Sequence, residues 1–216
     1  MGDYSTSLKA KTMFKQDITI EGTGVFGTFL SKELSPHFNI VDDANIIILA
    51  VPASAYIDVA EKHAGKHLVN VCSVQEDTTK TCLQFSDMVT SIHPMFGPRS
   101  PVDGRTCILT FDCRDGISTK CADEVARVIE GFAKISSKIV TEFNGIPMTP
   151  KLHDKMMAKT HMKVVQISDT ILNIVENAKD IPDECLPTSF KRLRDMAVQM
   201  LDMPKGTRDS ILSNKH

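Results

Sequence analysis

Charge in excess of one sign is what this 216-residue chain lacks most plainly. Its 25 lysines and arginines stand against 27 aspartates and glutamates, a formal net charge of −2, so no basic field exists to draw in nucleic acid or an anionic membrane. Long apolar runs are missing too. The longest, such as Ile46-Ile47-Ile48-Leu49-Ala50-Val51, fall far short of the roughly twenty residues that a membrane-spanning helix needs. The first twenty residues are mixed and polar, without the apolar core of a secretory signal, and the first fifteen read as a frayed start. The six cysteines (Cys72, Cys82, Cys107, Cys113, Cys121, Cys185) have no metal-ligand spacing and sit mostly in apolar segments. They read as reduced thiols of a cytoplasmic protein, with neither a disulfide frame nor a metal site. Tryptophan is absent, and no internal repeat is found. What remains is a chain long enough to bury one good-sized domain, or a domain plus a smaller one.

The first positive signal is Asp17-Ile18-Thr19-Ile20, a short β-like run leading into Glu21-Gly22-Thr23-Gly24-Val25-Phe26-Gly27. Thr28 to Leu34 then reads as helix, stopped by Pro36. Strand, Gly-x-Gly-x-x-Gly and helix together form the setting in which that motif binds a dinucleotide. Gly22 permits the tight turn, Gly24 lets the backbone approach a pyrophosphate, and Gly27 lets helix pack on strand while the helix N-terminus faces the phosphates. A glycine-rich turn with no ligand is the plainer alternative. Thr23, Val25 and Phe26 fill the loop.

The next stretch of chain is shorter than a dinucleotide fold requires. Phe38-Asn39-Ile40-Val41 is separated from the β-like Ile46 to Val51 by only Asp42-Asp43-Ala44-Asn45. Neighbouring parallel strands need a crossover of a dozen or more residues, whereas four extended residues cover about 14 Å. The simplest expectation makes the Gly27–Leu34 helix the crossover that joins the first strand directly to Ile46–Val51, with the adenosine-side strands missing or vestigial. Asp42 stands twenty residues after Gly22, where a ribose-binding acid belongs, but a solvated turn explains it as well. Ala50-Val51-Pro52 ends its strand at a turn suited to the edge of a nicotinamide pocket.

Further along, Ser54 to His63 reads as helix, His67 to Cys72 as strand, Asp77 to Phe85 as helix and Met88 to Ile92 as strand. Thr106 to Phe111 and Lys134 to Phe143 are β-like, and Ser118 to Ala133 is an amphipathic helix. This alternation argues an α/β, Rossmann-like and largely parallel sheet with a shortened first half. From Thr149, a good N-cap before Pro150, the pattern is helical only: one helix to about Ala178, then Phe190 to Met203 and Thr207 to Leu212. The expected division is a dinucleotide-binding domain over 1–146 and a small all-helical domain over 147–216. So few helices must dock on the sheet or pair with a second chain.

Near the middle lies Ser91-Ile92-His93-Pro94-Met95-Phe96-Gly97-Pro98-Arg99-Ser100. Pro94 holds His93 extended, which puts an imidazole at a strand end where a loop opens. His93 is then either a packed structural residue or a catalytic one.

Together these segments resemble the prephenate/arogenate dehydrogenase family of tyrosine biosynthesis. The matching stretches are Gly22-x-Gly24-x-x-Gly27, Ala44 to Pro52, Val71-Cys72-Ser73-Val74, His93-Pro94-Met95-Phe96-Gly97-Pro98 and His153-Asp154-Lys155-x-x-Ala158. The resemblance implies NAD or NADP as cofactor, Ala50, Val51 and Pro52 beside it, a cyclohexadienol substrate and a homodimer formed by the helices. It implies that hydride leaves the ring carbon bearing the hydroxyl, and that carboxylate loss then aromatises the ring. His93 would accept the hydroxyl's hydrogen bond and finally its proton, a task suited to an imidazole of ordinary pKa near 6.5. Ser73 would orient nicotinamide and substrate, its plainer role being a strand-end cap.

Arg99 is a candidate for a substrate carboxylate through its bidentate fork, or else a solvated loop cation. His153 could reach the pocket from the first helical turn, or sit idle on a surface. The sequence also departs from the family pattern. Gln75 replaces a basic residue, Val165 a histidine (with His161 one turn earlier), and Val198 stands nearest an expected arginine. Those losses keep open a non-catalytic homologue, or a reductase of another small acid.

Overall fold

The computed structural model describes residues 15–110, 122–200, 203 and 205–216. The expected frayed start (apart from Lys15), Phe111, Cys113, Cys121 and the first residues of the helix expected over Ser118–Ala133 lie outside them.

A seven-stranded sheet organises the chain, in the order β2-β1-β3-β4-β5-β6-β7. Its strands are β1 (Gln16–Glu21), β2 (Phe38–Ile40), β3 (Ile46–Leu49), β4 (His67–Asn70), β5 (Val89–Pro94), β6 (Thr106–Thr110) and β7 (Lys138–Val140). The first five run parallel; β6 is antiparallel to β5, and β7 is parallel to β6. This is the Rossmann-like, largely parallel sheet the sequence implied. Both faces are covered, which is why β3 is apolar at every position. Ile46 and Ile48 pack with α1 (Val25–Leu34) and α4 (Ala122–Ile135), through Phe29, Leu30, Val128 and Phe132. Ile47 and Leu49 face α2 (Tyr56–Lys62) and α3 (Glu76–Phe85), through Tyr56, Ala60 and Cys82. Burying each such side chain contributes roughly 1.5–3 kcal/mol.

The expected crossover is corrected by the strand order. α1 does not lead straight to β3. It delivers the chain to β2, a three-residue strand on the opposite flank of β1. The short link is possible because the two neighbours of β1 are staggered. β2 pairs with Gln16 to Ile18, whereas β3 pairs with Ile18 to Glu21. One ends at the level where the other begins, so the link spans only two strand spacings, about 10 Å. Thr19, buried, is the pivot: its Oγ1 donates to Val41 O at 3.0 Å and accepts from Ala44 N at 2.8 Å. A second strand therefore exists, short and at the edge, and among the described residues no third strand lies outside it.

After β7 come a small hairpin, β8 (Glu142–Phe143) and β9 (Ile146–Pro147), and then α5 (Pro150–Lys159). Thr149 caps α5 as its sequence position implies, Oγ1 accepting from Leu152 N at 3.1 Å. The single long helix expected to about Ala178 is instead two, α5 and α6 (His161–Glu176), broken at Thr160. The Thr160 hydroxyl donates to Met156 O, and its N–H turns to Met157 O. Such back-bonding bends helices. α7 (Thr188–Met200) packs on α6, and α8 (Lys205–Leu212) reaches back to the sheet. Met148 and Met157 seat α5 on Ile108 of β6. No helix among the described residues is long and apolar enough to cross a membrane.

Candidate active site

Two structures lie along the C-terminal edge of the parallel strands, where α/β sheets bind ligands. One is the glycine loop. Gly22, at φ +122°, presses against the end of β3, and a Cβ there would lie 2.2 Å from Ala50 O. Gly27 is buried beneath it, where a Cβ would lie 1.9 Å from Gly22 O. Gly24, at the cap of α1, faces open space. The loop thus has two glycines that the fold requires and one that it does not. α1 begins with no side-chain cap and no acid in its first turn, so its N–H groups and dipole remain available to an anion. This cradle fits the pyrophosphate of a dinucleotide. Thr23 and Val25 are exposed on the same loop, and Phe26 turns inward against Phe29. Ala50 and Val51 come after β3 half-buried, and Pro52 meets Gly206 of α8. Ala53 N donates to Ser210 Oγ at 3.0 Å, so α8 is tied to this edge.

The other structure is a histidine relay. β5 runs through the predicted strand end to Pro94, and His93 lies 4% exposed near its tip. His93 Nδ1 is 2.9 Å from Nε2 of His153, which is wholly buried on α5. His153 Nδ1 in turn is 2.8 Å from Asp154 Oδ1. The Asp154 carboxylate lies across the start of α3, accepting from Gln75 N and Glu76 N at 2.8 Å each. It is a helix cap supplied from 79 residues away in sequence. The network assigns the protons. A carboxylate that already accepts two N–H groups takes a third from His153 Nδ1. His153 Nε2 then accepts from His93 Nδ1, which leaves the lone pair on His93 Nε2.

Burial holds the pKa of His93 well below its ordinary value, and the neighbouring His153 and His161 push it the same way. The ring is a neutral acceptor. His161, placed by the break at Thr160, stacks on His93 with centroids 6.4 Å apart and planes 20° apart. Its buried Nδ1 has no partner, and burial lowers its pKa as well.

The predicted residues divide accordingly. His93 and His153 are brought into contact. Ser73 is half-buried in the loop between β4 and α3, next to Cys72, whose thiol burial pushes up to about 11 and out of nucleophilic use. Arg99 is exposed on the turn after β5. The buried cation near that turn is Arg105, which bonds Ser100 O and Glu33 and lies over the Phe29 and Phe96 rings. Gln75 is engaged internally, with Cys72 O and Thr110 Oγ1. Sequence reasoning assigned no role to Asp154 and left His161 outside the site. The Asp beside His153 was the available signal.

Solved structures share this architecture. A Corynebacterium glutamicum protein assigned as a prephenate dehydrogenase aligns over 92% of this chain and 74% of its own, with TM-score 0.66 and 16% identity. Synechocystis arogenate dehydrogenase aligns over 92% and 86%, with TM-score 0.56 and 17% identity. An Aspergillus terreus reductive aminase, solved with NADPH and ethyl levulinate, aligns over 86% and 73%, with TM-score 0.52 and 11% identity. No protein-family model matches the sequence, and no curated protein gives a significant match. At these identities the likeness shows the fold: a Rossmann-like sheet with helices after it.

Proposed function

We propose that the chain is an NAD(P)-dependent oxidoreductase of the prephenate/arogenate dehydrogenase type, with His93 as its base. The observation that carries this reading is the hydrogen-bonded His93–His153–Asp154 relay, with His93 held neutral by burial, set on the same sheet edge as a glycine cradle fit for pyrophosphate. Gly22, Gly24, Gly27 and the N-terminus of α1 would hold NAD or NADP, with Ala50, Val51 and Pro52 along the nicotinamide edge. When bound, the nicotinamide supplies the hydride acceptor. His93 Nε2 takes the hydrogen bond, and then the proton, of the hydroxyl on the carbon that loses hydride. The positive charge this creates is shared through Nδ1–H with His153 and stabilised by Asp154. The Ser73 hydroxyl orients the same substrate group, His161 Nδ1 offers a further polar contact, and Arg99 approaches a carboxylate.

In this reading residues 1–146 bind the cofactor, and residues 147–216 close the site and pair two copies. The partly exposed Ile167 and Ile174 on α6 and Met196 on α7 suit that pairing. A second reading is a reductase of another small acid. The uncharged Gln75, engaged internally, and the Arg105–Glu33 pair favour it, because neither position offers an uncompensated positive charge to a second carboxylate.

Turnover assays with prephenate and arogenate, each with NAD and NADP, test the proposal alongside His93→Asn. The variant is expected to lose about 10²–10⁴-fold in turnover, the usual worth of a positioned base, with cofactor affinity unchanged. Undiminished turnover in His93→Asn would sink the assignment.

A further inference from the structure

We infer that the site holds its dinucleotide by the pyrophosphate and nicotinamide ends and leaves the adenosine ribose unread, so that NAD and NADP are taken alike. This rests on the cofactor reading above. In a doubly wound sheet the acid that reads the ribose stands at the tip of the second strand, level with the glycine loop. In this chain the second strand stops lower. Ile40 pairs with Ile18, and Val41 N donates to Ile18 O at 2.9 Å. Thr19 Oγ1 then turns the chain across β1 by its bonds to Val41 O and Ala44 N. Asp42 is fixed within that turn. Val41, level with Thr19, is the last residue in step with β1, three residues below Gly22 or about 10 Å at a strand's rise, and Asp42 leaves along the turn instead of rising toward the loop.

The other acids nearby are engaged. Asp43 pairs with Lys66, whose hydrogen bond lowers its carboxyl pKa. Glu21, the acid level with the loop, accepts from Lys62 at 2.7 Å and lies 2.6 Å from His63 Nε2. Those same contacts pair Lys62 with Glu21, so it meets a 2′-phosphate already compensated. Among the described residues no third strand lies beyond β2 to form a floor for adenine. The shortened link therefore costs the site its nucleotide discrimination while the pyrophosphate cradle is kept whole.

Titration of the protein with NADH, NADPH and reduced nicotinamide mononucleotide, monitored by nicotinamide fluorescence, tests this in wild type and Asp42→Ala. The dissociation constants of NADH and NADPH are expected within about threefold, and that of the mononucleotide within about tenfold of NADH. Asp42→Ala should alter neither ratio. A larger preference for NADH over either probe, or a ratio that collapses in Asp42→Ala, would overturn the inference and make Asp42 the ribose reader. Binding of none of the three, with circular dichroism showing an intact fold, would overturn the cofactor reading itself, and this inference with it.

Discussion

His67 and His93 are buried imidazoles whose pKa values burial lowers from 6.5. Their neutrality in the fold has a cost in acid. Below about pH 6.5 the unfolded chain takes up protons that the native state refuses. Each group then removes about 1.4 kcal/mol of stability per pH unit until its native pKa is reached; above 6.5 it removes nothing. The carboxylates act later and from the other side. Lys80 and then His216 hold Glu76 down to about 2, and Lys62 lowers Glu21, so their stabilisation is lost only below pH 4.5. Urea denaturation at about pH 7, 6 and 5 should therefore show a midpoint falling before any carboxylate titrates. A midpoint that stays flat would mean the imidazoles are not held neutral. Among these residues, His93 was legible because the proline after it fixes its backbone. The role of Asp154 was not, although it stands in a matching stretch beside His153, because two of its partners are main-chain N–H groups of a helix distant in sequence.

Among the elements, the glycine loop separates structural need from ligand need. Gly27→Ala places a Cβ against the Gly22 carbonyl and is expected to cost roughly 1–3 kcal/mol through overpacking. Gly24→Ala meets nothing within 4 Å at a negative φ, so its thermal midpoint should stay near wild type while cofactor affinity falls about tenfold or more. Thermal melts paired with calorimetric titration check both, and equal melting losses in the two variants would contradict the assignment. The loop could be read from sequence because glycine spacing and the flanking periodicities encode it locally. The link after it could not. Length arithmetic treats parallel strands as level, and nothing in Phe38 to Val51 reveals that β2 and β3 are offset along β1. Only the paired register and the buried Thr19 hydroxyl disclose it. The break at Thr160 escaped for a similar reason, since threonine within a helical pattern does not announce its bond to Met156 O.

For the whole molecule, the apolar positions left open on α6 and α7 carry the proposed pairing. Ile174→Asp combined with Met196→Asp should convert a dimer to a monomer in sedimentation velocity, and a wild type already monomeric at micromolar concentration would refute it. The parts of the molecule also draw on different lengths of chain. The proposed nucleotide cradle needs only β1, α1 and the end of β3, all within one stretch of chain. The relay needs α5 seated on the sheet, because Asp154 orients His153 only while it also holds the first N–H groups of α3. If the proposed function holds, the capacity to bind nucleotide is expected to mature before chemical competence during refolding or synthesis, so that an unfinished molecule would hold its coenzyme without reacting it.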